Sequence, residues 1–176
     1  WLVATAAAAV TVSLVTGRRE GVAATEPADR GPLAVEEEDY LRVRTPALPV
    51  LLGDGTTTNL RWLSAERPQL LLYVSESCGG CQDVIAAVPR WRAELPPLDI
   101  RLVLRSKPED TTLASSAEPF SVHDTEGLLS ETFDMRGTPS ALLLGADGLL
   151  AGGPIVGGWA VPDFVDEIRA ELGVTP

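Results

Sequence analysis

The segment "LLLYVSESCGGCQDVIAAVPRWRAEL", Leu70–Leu95, decides the fold and holds both cysteines of the 176-residue chain, Cys78 and Cys81. With Gln69, its first part is a continuous apolar run of strand length, the pattern of a strand buried on both faces. After the cysteines, Val84, Val88, Trp91 and Leu95 recur at helical spacing and form one apolar stripe. Pro89 interrupts that stripe and is expected to kink the helix. The cysteines therefore stand where a strand hands over to a helix. A helix N-terminus offers unpaired N–H groups and a partial positive charge. A thiol placed there loses its proton more readily. Cys78 is thus the expected nucleophile, and Cys81, about one turn on, the thiol that resolves a mixed disulfide. Gly79 and Gly80 add neither charge nor bulk between them.

Three other uses of the pair compete with this one. A structural bridge closing so short a loop would stabilise little. A closed zinc site needs four ligands, and the chain offers two Cys and one His. A copper carrier would add a histidine to the two cysteines. The single candidate is His123 in the polar "SVHDTEG", where a lone histidine is ordinarily a surface or capping residue. A CxxC that opens a helix after a buried strand favours the redox use. No metal and no cofactor is assigned.

Outward from this segment the elements are well marked. "LPVLLGDGTTTNLRWL", residues 48–63, reads as a hairpin about the Asp54-Gly55 turn. "LDIRLVL", residues 98–104, is a second core strand. "DTEGLLSETFDM" begins with a cap at Asp124 or Thr125 and sets Leu128, Leu129 and Phe133 on one side of a short helix. "SALLLG", residues 140–145, is a third strand, and Asp147-Gly148 turns it into a hairpin partner, "LLAGGPIVG". "PDFVDEIRAELG" starts with Pro162 in the first turn, places Phe164, Ile168 and Leu172 on one stripe, and stops at Gly173. The order predicts an α/β fold with a mixed central sheet flanked by helices, preceded by an N-terminal β-hairpin extension.

The remaining sequence bears on place and partners. A net charge of -11 repels phosphate backbones, so nucleic acid is not an expected partner. Leu2 to Thr16 carry no charge. That run is shorter than the roughly 20 residues that cross a bilayer. Residues 1–17 therefore read as the end of a transmembrane helix or part of a signal segment, with an Ala-rich helix of a soluble protein as the alternative. Residues 18–45, with their acidic run Glu36–Asp39, read as a flexible acidic linker. Residues 46–176 form the domain.

With the CxxC, "RGTPSALLLGADG" and the hairpin-helix ending in place, the chain resembles thioredoxin-like proteins. It is most similar to the membrane-tethered, extracytoplasmic thiol–disulfide oxidoreductases of the TlpA and MauD type, from about Pro46 to the C-terminus and in the anchor-and-linker layout. The resemblance implies an enzyme of the cell membrane. Its redox domain lies outside the cytoplasm and exchanges the Cys78–Cys81 dithiol with protein thiols and disulfides. A membrane or soluble electron donor serves it. The resemblance also implies that Thr138 and Pro139, joined by a cis bond, lie beside the reactive cysteine and bind substrate. Three positions depart from the family pattern: Ser77 where Trp is common, Gly80 where Pro is common, and Leu72 where thioredoxins keep a buried acid. Glu76 is the nearby candidate for the missing proton relay. Arg18 and Arg19, after the apolar run, oppose the outside placement by the positive-inside rule, and the layout outweighs them. The competing functions are a non-catalytic adaptor using the Pro139 groove and a metal or cytochrome-assembly chaperone.

Overall fold

The structure, a computed structural model, describes residues 42–114 and 120–174. The expected apolar segment 1–17 and most of the 18–45 linker lie outside these residues. Among the described residues no helix is long and apolar enough to cross a membrane.

The buried run at Gln69–Tyr73 forms β3, and all five residues are buried. It is an interior strand of a seven-stranded mixed sheet of order β2-β1-β5-β4-β3-β6-β7. Its neighbours are β4 (Asp99–Leu104), which runs parallel, and β6 (Ser140–Leu144), which runs antiparallel. Alternate residues of a strand face opposite sides, and the two cores follow that alternation. Leu70 and Leu72 join the layer of α2 (Cys81–Glu94) and α4 (Ala160–Glu171), with Val84, Val88, Trp91 and Val165. Leu71 and Tyr73 face Leu60 of α1 (Leu60–Glu66) and Leu129 of α3 (Leu128–Thr132).

The Asp54-Gly55 turn joins β1 (Pro49–Leu52) to β2 (Thr57–Asn59), antiparallel as expected. The second half of that segment does not continue as strand. Asn59 accepts a hydrogen bond from the Trp62 N–H at 2.9 Å and so caps α1. The hairpin is also part of the main sheet, through a strand the sequence reading omits. Two residues, Val122–His123, form β5, which pairs antiparallel with β1 and parallel with β4.

His123 is accordingly buried and not a surface or capping residue. Its Nδ1 lies 2.6 Å from the Ser106 carbonyl and its Nε2 3.3 Å from Ser121 Oγ. The cap of α3 is Asp124: its two carboxylate oxygens accept the N–H groups of Leu129 (2.9 Å) and Ser130 (3.0 Å). Leu128 leaves the expected stripe and is exposed, because α3 is short and only Leu129 and Phe133 reach the core. Pro89 stays within α2, with its ring on the exposed side, and the helix runs on to Glu94.

The Gly148 turn, at φ +77°, leads β6 into β7 (Leu150–Val156). Phe164 and Ile168 bury one face of α4, while Leu172, expected on the same stripe, caps the helix and is exposed. Residues Arg42–Thr45 are strapped to the β6–β7 turn. Thr45 N–H donates to Gly148 O at 2.8 Å, Leu150 N–H to Val43 O at 2.7 Å, and Arg42 pairs with Asp147 at 2.6 Å.

Candidate active site

The chain leaves β3 at Tyr73, and Val74 keeps one more bond to the sheet, to Val103 O. It then turns through Ser75–Gly80 and enters α2 at Cys81. Two short turns shape this loop: Cys78 N–H donates to Ser75 O at 3.2 Å, and Cys81 N–H to Cys78 O at 3.0 Å. Cys78 is half-buried at the surface end of the turn, whereas Cys81, the first helical residue, is fully buried. The pair is present as two thiols.

The loop before β6 closes on this site. Thr138-Pro139 is a cis bond, as is Gly153-Pro154 in β7, which the sequence reading does not anticipate. The Cys78 thiol donates to the Thr138 carbonyl at 3.4 Å. A Cβ built on Gly80 would lie 3.7 Å from Pro139 Cδ. A third loop, after β7, completes the rim. A Cβ on Gly158 would come within 3.1 Å of Gly80 O, so residue 158 tolerates little more than glycine against the cysteine turn. Val156 and Trp159, both exposed, flank that contact. "IVGGWAV" reads in the sequence only as the end of a strand and the start of a helix, so nothing marked this rim beforehand.

The two thiols are pushed in opposite directions. A hydrogen bond from Cys81 is the largest influence lowering the Cys78 pKa, followed by one from the Thr138 side chain and bonds from the Cys81 and Gly80 backbone. Burial first, and then the hydrogen bond with Cys78, raise the pKa of Cys81. The half-buried outer thiol is thus the more acidic of the two and the buried inner one the less acidic.

The Glu76 carboxylate faces the loop after the short turn at Pro108–Asp110. Its Oε1 accepts Thr111 Oγ1, Thr112 N–H and Thr112 Oγ1, each at 2.7 Å. These bonds lower its pKa and tie the cysteine loop to the loop after η1 (Pro108–Asp110). Leu72, at the position of the thioredoxin acid, is fully buried in the same core as Cys81. His123 is held by Ser106 and Ser121, and among the described residues no group of three or more His, Cys, Asp or Glu is placed to hold a metal ion.

No family model and no curated protein matches the chain. Solved structures do. A DsbE-type thiol:disulfide interchange protein of Chlorobium tepidum is similar over 74% of this chain and 94% of its own, with a TM-score of 0.60 and 14% identity. A secreted disulfide oxidoreductase of Mycobacterium tuberculosis, homologous to E. coli DsbE, is similar over 69% and 96%, with a TM-score of 0.52 and 13% identity. Peroxiredoxin Q of Xanthomonas campestris is similar over 74% and 96%, with a TM-score of 0.53 and 23% identity. The fold is thioredoxin-like. At these identities the likeness bears on the fold alone, and the chemistry has to be argued from the cysteine site.

Proposed function

We propose that the chain is a thiol–disulfide oxidoreductase of protein substrates, and that it acts outside the cytoplasmic membrane as a TlpA/MauD-type protein anchored through its N-terminal apolar segment. The observation that carries the chemistry is the geometry of the pair: a half-buried Cys78 whose thiol meets the Thr138 carbonyl of the cis-proline loop, and a fully buried Cys81 at the start of α2. In the reductive direction the Cys78 thiolate attacks one sulfur of a substrate disulfide. A Cys78–substrate disulfide forms and the other substrate sulfur leaves as a thiolate. Cys81 then loses its proton to water and attacks Cys78 Sγ. The Cys78–Cys81 bond forms, the second substrate thiolate departs, and two electrons have passed from the dithiol to the substrate. An electron donor returns them. The reverse sequence oxidises a substrate dithiol.

The exposed Val156 and Trp159 beside the cysteine turn favour a protein substrate, whose apolar side chains they would cover. The anchor and the outside placement rest on the sequence layout. An adaptor would leave the split between the thiols without a use. The test is the Cys81→Ser protein incubated with a disulfide-bonded polypeptide such as insulin. It should accumulate a mixed disulfide at Cys78, visible by non-reducing electrophoresis and mass spectrometry, while the unaltered protein turns over with dithiothreitol as donor. No mixed disulfide and no turnover above the uncatalysed rate would refute the reading.

A further inference from the structure

Two clefts open on the side of the cis-proline loop, and Tyr73, Arg105 and Thr138 line both. The first, of about 270 Å³, runs past Ser75, Glu76 and Ser77 of the cysteine loop. The second, of about 520 Å³, runs past Glu131, Asp134 and Arg136. Thr138 is the residue whose carbonyl takes the Cys78 thiol. A substrate whose sulfur meets Cys78 therefore has its neighbouring atoms at the mouth of these clefts.

The charges there are unequally engaged. Arg136 is paired with Asp134. Glu76 is turned to Thr111 and Thr112. Arg105 is exposed and has no hydrogen-bond or ion-pair partner among the described residues. Its guanidinium lies against the turn before α3. A Cβ added to Gly127 would lie 3.2 Å from both terminal nitrogens of Arg105, so the guanidinium rests directly on that glycine's backbone. Gly127 sits at φ +77°, fixed by its N–H bond to Asp124 O at 3.0 Å. Around it, Ser75, Ser77 and Tyr73 supply hydroxyls on one wall of the first cleft. A guanidinium with its donors free and its plane supported suits a carboxylate, which it binds through two parallel hydrogen bonds.

We infer that this cleft is a specificity site: Arg105 receives a carboxylate that the substrate carries beside its reacting sulfur. Both clefts carry carboxylates, but that of Glu76 in the first is taken up by Thr111 and Thr112, whereas Glu131 and Asp134 line the second, so the substrate carboxylate is placed on the Ser75 side. The inference rests on the oxidoreductase reading for its use, but the binding itself does not.

The full chain is tested in three ways. The first compares kcat/KM for dithiodipropionate with that for bis(2-hydroxyethyl) disulfide, a neutral partner of similar length. The second compares two short disulfide-linked peptides with Glu or Gln beside the cysteine. The third is saturation-transfer NMR of 3-(methylthio)propionate and its amide on the dithiol protein, which needs no turnover. One charge-assisted contact corresponds to a preference of about tenfold for the acid. It should appear with the small disulfide, the peptide or both, which tells the carboxylate's source. Arg105→Gln should bring the ratio to about one and abolish the NMR signal. Arg105→Lys should restore part of each, and Arg90→Gln, on the far exposed side of α2, should leave the ratio alone. Equal rates for acid and neutral substrates without NMR binding, or a preference that survives Arg105→Gln, would overturn the inference and leave the oxidoreductase reading standing. Carboxylate binding without any turnover would do the reverse.

Discussion

Asp124 joins the sheet to the specificity cleft, and its removal has a cost that can be worked out. The carboxylate is buried, and its two oxygens accept the N–H groups of Leu129 and Ser130 at 2.9 and 3.0 Å. Alanine leaves both donors without an acceptor in a place water does not reach. An orphaned buried donor costs about 1–3 kcal/mol, and a lost N-cap alone about 1 kcal/mol. The α3 end can turn slightly toward water, so the lower half of the range applies to each donor. Asp124→Ala is therefore expected to lose about 2–4 kcal/mol. At about 3 °C per kcal/mol for a domain of this size, Tm falls by roughly 6–12 °C. Asp124→Asn keeps one acceptor oxygen and should fall between. The backbone bonds of residue 124, to Leu104 O and from Gly127 N–H, are untouched, so the fold should survive.

Urea unfolding followed by circular dichroism gives the loss from the midpoint with the slope unchanged. The loss should be global because Leu129, directly capped, is fully buried against β3 and cannot leave without opening that core. A change under about 0.5 kcal/mol would refute the accounting. So would faster hydrogen exchange confined to residues 124–133 with the global midpoint intact, which would mean that α3 opens on its own.

Three other outcomes are expected. Iodoacetamide labelling of the reduced protein, mapped by mass spectrometry across pH, should modify Cys78 first, with a midpoint below the ~8.5 of a free cysteine, and Cys81 later and above it; the opposite order would refute the assigned roles. The folded pKa of Glu76 is lowered by its threonine bonds, so its stabilisation is present above the unfolded carboxyl value of ~4.3 and lost as pH falls through the folded value. The urea midpoint of Glu76→Gln should therefore trail at pH 7 and meet the parent's toward pH 3, and an equal gap at both would contradict the clamp. A chain beginning at Pro46 should be about 2 kcal/mol less stable than one beginning at Arg42, since it gives up the Thr45–Gly148 and Val43–Leu150 backbone bonds at about 1 kcal/mol each; matching midpoints would show that the strap contributes nothing.

The elements legible in the sequence are those whose signal is local. Gln69–Tyr73 is apolar throughout because both faces are covered, and the Asp54-Gly55 and Asp147-Gly148 turns announce their hairpins in two residues. What escaped depends on partners distant in sequence. Val122–His123 is too short to show a period and exists because β1 and β4 present free edges on either side of it. His123 therefore looks solvated in "SVHDTEG" and is in fact enclosed. The helix at Leu60 was hidden by the threonines before it, whose strand propensity ends abruptly at the Asn59 cap. In the site, the strand-to-helix setting of the CxxC was legible. Arg105 was not, because its meaning comes from Gly127, twenty-two positions on, and from a loop that arrives after β5.

The leucine at position 72 bears directly on the cysteine pair. With leucine at position 72, Cys81 is enclosed in apolar core with no acid beside it, and burial is the first cause of its raised pKa. The hydrogen bond from the Cys81 side chain is in turn the largest influence lowering the Cys78 pKa. Gly158 closes on the turn because it has no Cβ, which would come within 3.1 Å of Gly80 O, whereas a Cβ at Gly80 itself would make only an ordinary 3.7 Å contact with Pro139. Capture of a substrate then changes both terms. Once Cys78 is in a mixed disulfide it carries no charge, and the hydrogen bond and like-charge repulsion that kept Cys81 protonated are gone. Only burial still opposes its ionisation. In the proposed reaction the inner thiol is thus held in reserve while the outer one is free, and becomes the nucleophile after the outer one has bound.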